Sequence, residues 1–154
     1  TGVVGNDVTG VGSIRSGAAA AGYGGDKAIF GYGQGPVSMT NLVSNTGVVA
    51  TDTTGVGTSR SVLAAATYGS DKSIFGYGYT GTNTAITNLV SNTGVVANNT
   101  TGVGTVRYGL AAAGYGTDKA IFGYGTTGSL TAVTNLVSNT GVVANNTTGV
   151  GFAR

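Results

Sequence analysis

The residues of this chain that could do chemistry are few, and the most regular of them are three adjacent acid–base pairs. Asp26-Lys27, Asp71-Lys72 and Asp118-Lys119 contain three of the five acidic residues and all three lysines. Such pairs could bind a cation or an anionic sugar. They also fit a tight turn, in which Asp accepts backbone N–H bonds and Lys lies at the end of a hairpin. We favour the turn, because adjacent opposite charges largely neutralise each other.

The rest of the composition gives little support to catalysis. The chain has no His and no Cys, and all of its five acids are Asp. The common general bases, nucleophile pairs and thiolate metal ligands are therefore missing. We predict a protein that is not an enzyme and that uses no cofactor and no metal ion.

Four arginines recur at the same position of a sequence repeat. Too few acids remain beside them, in Asp7 and Asp52, to suggest a catalytic or phosphate-binding cluster. We expect instead that each guanidinium donates hydrogen bonds to carbonyl groups of a neighbouring repeat. The arginines expected to have this structural role are Arg15, Arg60, Arg107 and Arg154.

Charge is scarce along the whole chain. Only 8% of the residues are charged, against about 25% in an ordinary protein, and the net charge is +2. Without a basic patch, nucleic acid is not an expected partner. No apolar run approaches the roughly 20 residues that span a membrane. A surface this poor in charge suits a protein that is held in an assembly.

The elements that position these residues come from a tandem repeat. The segment TNLVSNTGVVA occurs unchanged from Thr40, Thr87 and Thr134, with a spacing of 47 residues. A fixed period of this size is typical of solenoids, propellers and related arrays. Although 30 residues are Gly, 40% of the chain is hydrophobic and Val and Thr are abundant. This composition favours short strands separated by turns over disorder.

One repeat contains four predicted strands. In the middle copy they cover residues 63–68, 73–78, 86–91 and 95–100. The turn sequence GSDK separates the first two strands, and NTG separates the last two. The third alternates apolar and polar residues with a period of two, as a half-buried strand does. Four strands in 40–50 residues are the pattern of a β-propeller blade.

The order of residues within a repeat resembles the Kelch family. Arg60 is followed by a small-residue strand, an aromatic–aliphatic strand ending in Gly-Tyr-Gly, a loop, a third strand and an Asn-x-Gly turn. The chain departs from the Kelch pattern at three places in each repeat. Gly-Tyr-Gly replaces Gly-Gly, while Val95 stands near the expected Trp and Leu89 near the expected Tyr. The resemblance implies an all-β fold of Kelch-like propeller blades.

Two further expectations concern the aromatic residues and the setting of the protein. The repeated tyrosines are expected to pack between blades, with their hydroxyls at polar edges, in preference to stacking on sugar rings. These residues are Tyr23, Tyr32, Tyr68, Tyr77, Tyr115 and Tyr124. Residues 110–125, LAAAGYGTDKAIFGYG, are similar to Gly-rich repeat proteins of marine bacteriophages. That similarity implies a virion as the setting.

The repeats are predicted to form a single domain. Residues 1–14 match the fourth strand and connection of a partial blade, followed by blades at 15–59, 60–106 and 107–154. Propellers have 4–8 blades, so three leave a gap. We therefore expect either further repeats in a longer chain or a homo-oligomer, for example two chains in a six-bladed ring.

The repeats differ from one another mainly in two segments. These are the loop between the second and third strands and the residues around each Arg. In an up-and-down blade both segments lie at the same end of the sheet, and binding surfaces are usually built from such loops. The alternative is that unconstrained surface loops have drifted. The residues of this predicted contact face are Gln34, Val37, Tyr79, Thr82, Asn83, Tyr108, Thr126, Ser129 and Leu130.

We predict a structural or adhesive module without catalytic activity. The expected setting is a phage virion appendage or tail fibre, or another extracellular surface. One alternative is a lectin propeller that binds a surface glycan at one site per repeat. A second alternative is a trimeric fibrous β-solenoid, in which the repeats stack along an axis.

Overall fold

A computed structural model describes residues 6–154 as an all-β protein. The described residues form nine strands and no helix, which confirms the predicted all-β class. No part of residues 6–154 forms a helix that is long and apolar enough to span a membrane. The strands are β1 (Ala19–Tyr23), β2 (Lys27–Gly33), β3 (Val37–Val43), β4 (Ala64–Tyr68), β5 (Lys72–Gly76), β6 (Thr87–Val90), β7 (Ala111–Tyr115), β8 (Lys119–Gly123) and β9 (Thr134–Val137).

Each repeat folds into one three-stranded antiparallel sheet. Sheet 1 has the order β1-β2-β3, sheet 2 has β4-β5-β6 and sheet 3 has β7-β8-β9. The first two strands of every sheet form a hairpin that closes at a Tyr–Lys pair, such as Tyr68 opposite Lys72. Between them, Gly69 and Ser70 both have positive φ, the conformation that tight hairpin turns require. The Gly/Asp turn predicted from the sequence is present at this position.

The predicted fourth strand is not formed as a regular strand. Residues 95–100 form no strand of their own and pair with β6 at two isolated bridges, Val90 with Val96 and Thr87 with Thr100. Between these bridges the Asn88 side chain donates to the carbonyl of Ala97 at 3.0 Å. A side-chain amide that bonds to the backbone in this way competes with the regular ladder. Four-stranded blades are therefore not observed, because the outer segment is held partly by side chains.

The expected N-terminal strand is also not seen where the structure can test it. Residues 6–14 form no strand. The rest of the predicted partial blade, residues 1–5, lies outside the described residues. Residues 12–15 do lie against sheet 1, where both the backbone N–H and the hydroxyl of Ser13 donate to Asp52, at 2.9 and 2.7 Å.

Successive sheets pack against each other along the chain. Strand β4 lies beside both β1 and β7. The backbone N–H of Gly24 donates to the carbonyl of Asp71, and that of Gly69 to the carbonyl of Asp118, each at 2.7 Å. The buried apolar side chains form two clusters, one between sheets 1 and 2 and one between sheets 2 and 3. Closure of these sheets into a ring is not seen among residues 6–154.

A Gly-Tyr-Gly segment lies at the end of the second strand of each sheet. The central tyrosines, Tyr32, Tyr77 and Tyr124, have φ values of 63°, 62° and 64°. A left-handed backbone is uncommon for a residue other than Gly. Here it directs a large ring into the junction with the next repeat, where Tyr32 and Tyr77 are fully buried. The tyrosine hydroxyls donate to carbonyls, as Tyr77 does to Val103 at 3.1 Å.

Candidate functional site

The recurring arginines lie on the tyrosines of the preceding repeat. The guanidinium carbon of Arg60 is 4.2 Å from the centroid of the Tyr32 ring. Arg107 is at the same distance from the Tyr77 ring, and Arg154 is 4.1 Å from that of Tyr124. Cations this close to an aromatic face are attracted by its quadrupole. The arginines therefore link one repeat to the next.

Arg107 is completely buried, and no carboxylate among residues 6–154 forms an ion pair with it. Its Nε donates to the Tyr124 carbonyl at 3.0 Å, and its two terminal nitrogens donate to the Thr105 carbonyl at 3.0 Å and to Oδ1 of Asn135 at 2.7 Å. Burial lowers the pKa of the Arg107 guanidinium, and the neighbouring Tyr77 opposes this effect. Arg60, also fully buried, donates in a similar way to the Tyr77 carbonyl at 2.9 Å.

The first arginine has a different environment. Arg15 donates to Asn41 and lies 3.5 Å from Asp52. Its Nε is buried without a hydrogen-bond partner among the described residues. Hydrogen bonds from Ser13 and Asn41 lower the pKa of Asp52. In the other two repeats, an Asn stands at the position of Asp52. In the second repeat it is Asn99, whose side chain accepts a hydrogen bond from the backbone N–H of Thr58 at 3.0 Å.

The Asp–Lys pairs lie in the hairpin turns between the first two strands. Each lysine contacts its own neighbouring aspartate at 2.7–2.8 Å. The adjacent lysine is the main cause of the lowered pKa of the three carboxyls. Asn45 also donates to Asp26 at 3.0 Å, which connects this turn to the Asn-Thr-Gly turn of the same sheet. Among the described residues, no three His, Cys, Asp or Glu side chains cluster as a metal site would need.

The structure brings Tyr79 and Tyr108 of the contact face together. Their ring centroids are 5.6 Å apart and the rings are inclined by 59°. Tyr79 lies after β5 in the second repeat and Tyr108 lies before β7 in the third, so this pair spans a junction between repeats. Tyr79 also forms bridges with Ser61 and Asn83, and the residue is 41% exposed. The pair is the largest aromatic feature of the contact face.

The other members of the contact face are distributed over the equivalent loops. In sheet 3, Thr126 pairs with both Tyr108 and Leu130. In the first repeat, the backbone of Gln34 donates to Ser16 at 2.7 Å. Of the remaining members, Val37 begins β3, while Thr82 and Ser129 accept backbone bonds within their own loops. In every repeat, therefore, the loop between the second and third strands lies beside the residue that follows the Arg.

Sequence reasoning did not find the close fit between glycines and phenylalanines at the junctions. A Cβ on Gly31 would lie 2.7 Å from the Phe75 ring, and one on Gly76 would lie 2.6 Å from the Phe122 ring. The recurrence of Phe-Gly-Tyr-Gly was the signal, but the two partners are in different repeats.

No protein-family model matches the chain, and no curated protein is significantly similar to it.

Proposed function

We propose that the protein is a non-enzymatic structural and adhesive module whose three sheets are arranged as Kelch-like propeller blades. The observation that carries this proposal is a division between conserved junctions and variable loops within one chain. The ring centroids of Tyr32 and Phe75 are 5.1 Å apart, and those of Tyr77 and Phe122 are 5.2 Å apart. The loops of the contact face, in contrast, differ in residue type in every repeat, and the loop of the first repeat is two residues shorter than the others.

The blade arrangement is supported by the position of the outer segments. The backbone of Ala97 donates to the carbonyl of Leu89 at 2.8 Å, and Ala50 and Ala144 make the same bond in their repeats. In each case the segment lies where the fourth strand of a blade would be. Small-angle X-ray scattering tests the arrangement, because propeller blades curve around an axis whereas a β-solenoid gives a rod. A rod-like scattering profile would contradict it.

The setting that we propose is a phage virion appendage or tail fibre, or another extracellular surface. The scarcity of charge and the similarity of residues 110–125 to Gly-rich phage repeat proteins support this setting. Antibodies raised against the protein should label purified particles or intact cells. Labelling only after lysis would contradict the proposal.

The adhesive role depends on the contact face. Replacing Tyr79, Asn83 and Tyr108 together by Ala should abolish binding to the particle or cell surface, because Tyr79 and Tyr108 form the aromatic pair of the contact face and Asn83 forms a bridge with Tyr79. The matched control replaces Asn139 and Thr140, exposed polar residues in the turn at the other end of the sheet. Both variants should keep the far-UV spectrum of the wild type. Binding that survives the triple substitution would refute the role of the contact face.

A second candidate function is sugar binding at the Tyr79–Tyr108 pair. Exposed aromatic faces are suitable platforms for sugar rings, because they combine apolar surface with polar hydroxyls. At the junction of the first two repeats, Gln34 and Ser61 stand at the equivalent positions. A glycan titration should therefore give one site per chain if the aromatic pair is the site. Three equal sites would favour the lectin with one site per repeat.

A further inference from the structure

The junction between neighbouring repeats occurs twice with the same contacts between glycines and aromatic rings. Phe75 packs on Gly31 of the preceding sheet, and Phe122 packs on Gly76 in the same way. A second contact also recurs at both junctions. A Cβ on Gly94 would lie 2.9 Å from Leu42 and 3.0 Å from the Tyr23 ring.

The equivalent glycine of the third repeat, Gly141, meets Leu89 and Tyr68 at the same two distances. The described residues thus contain two copies of one interface. Each copy consists of a Phe and a Gly from one repeat against a Gly, a Tyr and a Leu from the repeat before it.

Sheet 1 presents one half of this interface to solvent. Phe30 is 43% exposed, whereas Phe75 and Phe122 are fully buried. A Cβ on Gly47 would have no neighbour within 4 Å. Beside these residues lies a largely apolar cavity of about 550 Å³, which also contacts Arg15. We call this surface, formed by Arg15, Phe30, Gly47 and the cavity walls, the N-terminal end face.

Sheet 3 presents the other half. Tyr115 is 41% exposed, although its equivalents Tyr23 and Tyr68 are almost completely buried. Leu136 is 39% exposed. At Gly123 a Cβ would approach only the Thr134 methyl group, at 3.2 Å, where its equivalents meet a phenylalanine ring. We call the surface formed by Tyr115, Gly123 and Leu136 the C-terminal end face.

We propose that the two end faces bind each other in separate copies of this chain. Phe30 of one copy would pack on Gly123 of another, and Gly47 on Tyr115 and Leu136, as the equivalent residues do inside the chain. This contact joins two different surfaces, so it is heterologous and extends to rings or filaments. The inference names the partner of the structural module and rests on the proposed function.

Two equivalent segments of the chain would compete for the same position at a junction between copies. Residues 9–15 (TGVGSIR) and 148–154 (TGVGFAR) occupy equivalent positions of the repeat. At a junction between copies, only one of these segments can lie between the two sheets. Residues 8–11 line the cavity of the N-terminal end face, and Val8 is 87% exposed there. Residues 148–154 lie against sheet 3, since the Val150 carbonyl accepts from Tyr124 at 3.2 Å and the Arg154 carbonyl accepts from the Gly125 N–H at 2.9 Å. We therefore expect residues 8–11 to be the part that is displaced.

Analytical ultracentrifugation over a concentration series tests the proposal. The wild-type chain should form species heavier than one chain, and Phe30→Asp or Leu136→Asp should weaken this association by more than about tenfold, because each places a charge in an apolar contact. Leu130→Asp is the matched control, since it places the same charge on an exposed leucine of the contact face. If Phe30→Asp fails to fold, Phe30→Ser takes its place.

Mixing the two variants makes the test specific to a heterologous contact. The Phe30→Asp chain keeps an intact C-terminal end face, and the Leu136→Asp chain keeps an intact N-terminal end face. Together they should form one-to-one dimers and nothing larger. A monomeric wild type, association that both substitutions leave unchanged, or a mixture that stays monomeric would each overturn the proposal. None of these outcomes affects surface binding through the contact face, which is measured separately with the Tyr79, Asn83 and Tyr108 substitutions.

Discussion

The guanidinium of Arg107 lies on the ring of Tyr77, with 4.2 Å between the guanidinium carbon and the ring centroid. The two residues belong to different repeats, and both are fully buried. The cation has no carboxylate near it and is stabilised by carbonyl oxygens, an asparagine oxygen and the aromatic face. This arrangement lets a nearly uncharged protein bury a cation at each junction without a compensating acid.

We expect Arg107→Lys to lower the free energy of unfolding by about 2 kcal/mol, because an ammonium cannot reproduce the fork of donors or the stacking. Arg154→Lys is the control, since Arg154 is exposed at the end of the array. Its effect should stay within about 0.5 kcal/mol. Urea unfolding of both variants measures the difference. Equal effects at the two positions would show that the buried hydrogen bonds do not matter.

A second prediction concerns the glycines beneath the phenylalanine rings. Gly76→Ala should destabilise the protein by about 1–3 kcal/mol, because the added methyl group overlaps the Phe122 ring and overpacks the junction. Gly123→Ala is the matched substitution, at a site where no ring is present. At protein concentrations at which the chain is monomeric, it should change the stability by no more than about 0.5 kcal/mol. Thermal unfolding of the two variants makes the comparison, and an equal loss in both would contradict the packing argument.

The acid sensitivity of the first repeat should depend on Asp52. Its pKa is lowered in the folded state, so its contribution to stability is present above the unfolded pKa of about 3.9. That contribution is lost as the pH falls through the lowered folded value. Asp52→Asn introduces the residue found in the other two repeats and should remove this part of the pH dependence.

The measurement is the thermal midpoint of wild type and Asp52→Asn as a function of pH, from about pH 6 to pH 2. The aspartates of the three turns titrate in both proteins, so the difference between the two curves isolates Asp52. Parallel curves over the whole range would contradict the prediction.

Removing residues 1–11 should strengthen self-association, because residues 8–11 line the cavity that a second copy would fill. Ser13 and Arg15 remain, so the hydrogen bonds of Ser13 and the ion pair of Arg15 with Asp52 are kept. Sedimentation of the truncated chain at the same concentrations as the full chain tests this. Association that disappears on truncation would mean that the removed segment is itself part of the contact.

Local patterns predicted a large part of the fold. The Gly/Asp turns and the Asn-Thr-Gly turns depend on nearby residues, and both are present as predicted. The strand at TNLV also forms, but its burial does not alternate as predicted, because Asn88 is fully buried while Leu89 is only partly buried. The outer strand was predicted wrongly, because the Asn88 side chain bonds to Ala97 across the position of the ladder. A pattern of apolar and β-branched residues does not contain that competition.

The features of the site that depend on contacts between repeats could not be predicted from the sequence. Tyr115 has the same sequence neighbours, Gly114 and Gly116, as the buried Tyr23 has in its repeat, yet it is exposed because none of the described residues packs on it as the next repeat packs on Tyr23. The loops of the contact face were placed at one end of the sheet by the alternation of connections. The pairing of Tyr79 with Tyr108 depends on how two repeats pack, which no pattern within one repeat contains.

The identity of the two internal junctions has a consequence at the level of the gene. Deleting residues 60–106 would join Ser59 to Arg107, and Tyr32 would then receive Arg107 and Phe122 in place of Arg60 and Phe75. Both junction partners are of the same residue types, so the shortened chain would keep a native interface. Unequal recombination between the gene segments that encode these identical residues could thus add or remove whole repeats without creating a mismatched surface. Related genes would then differ by multiples of one repeat.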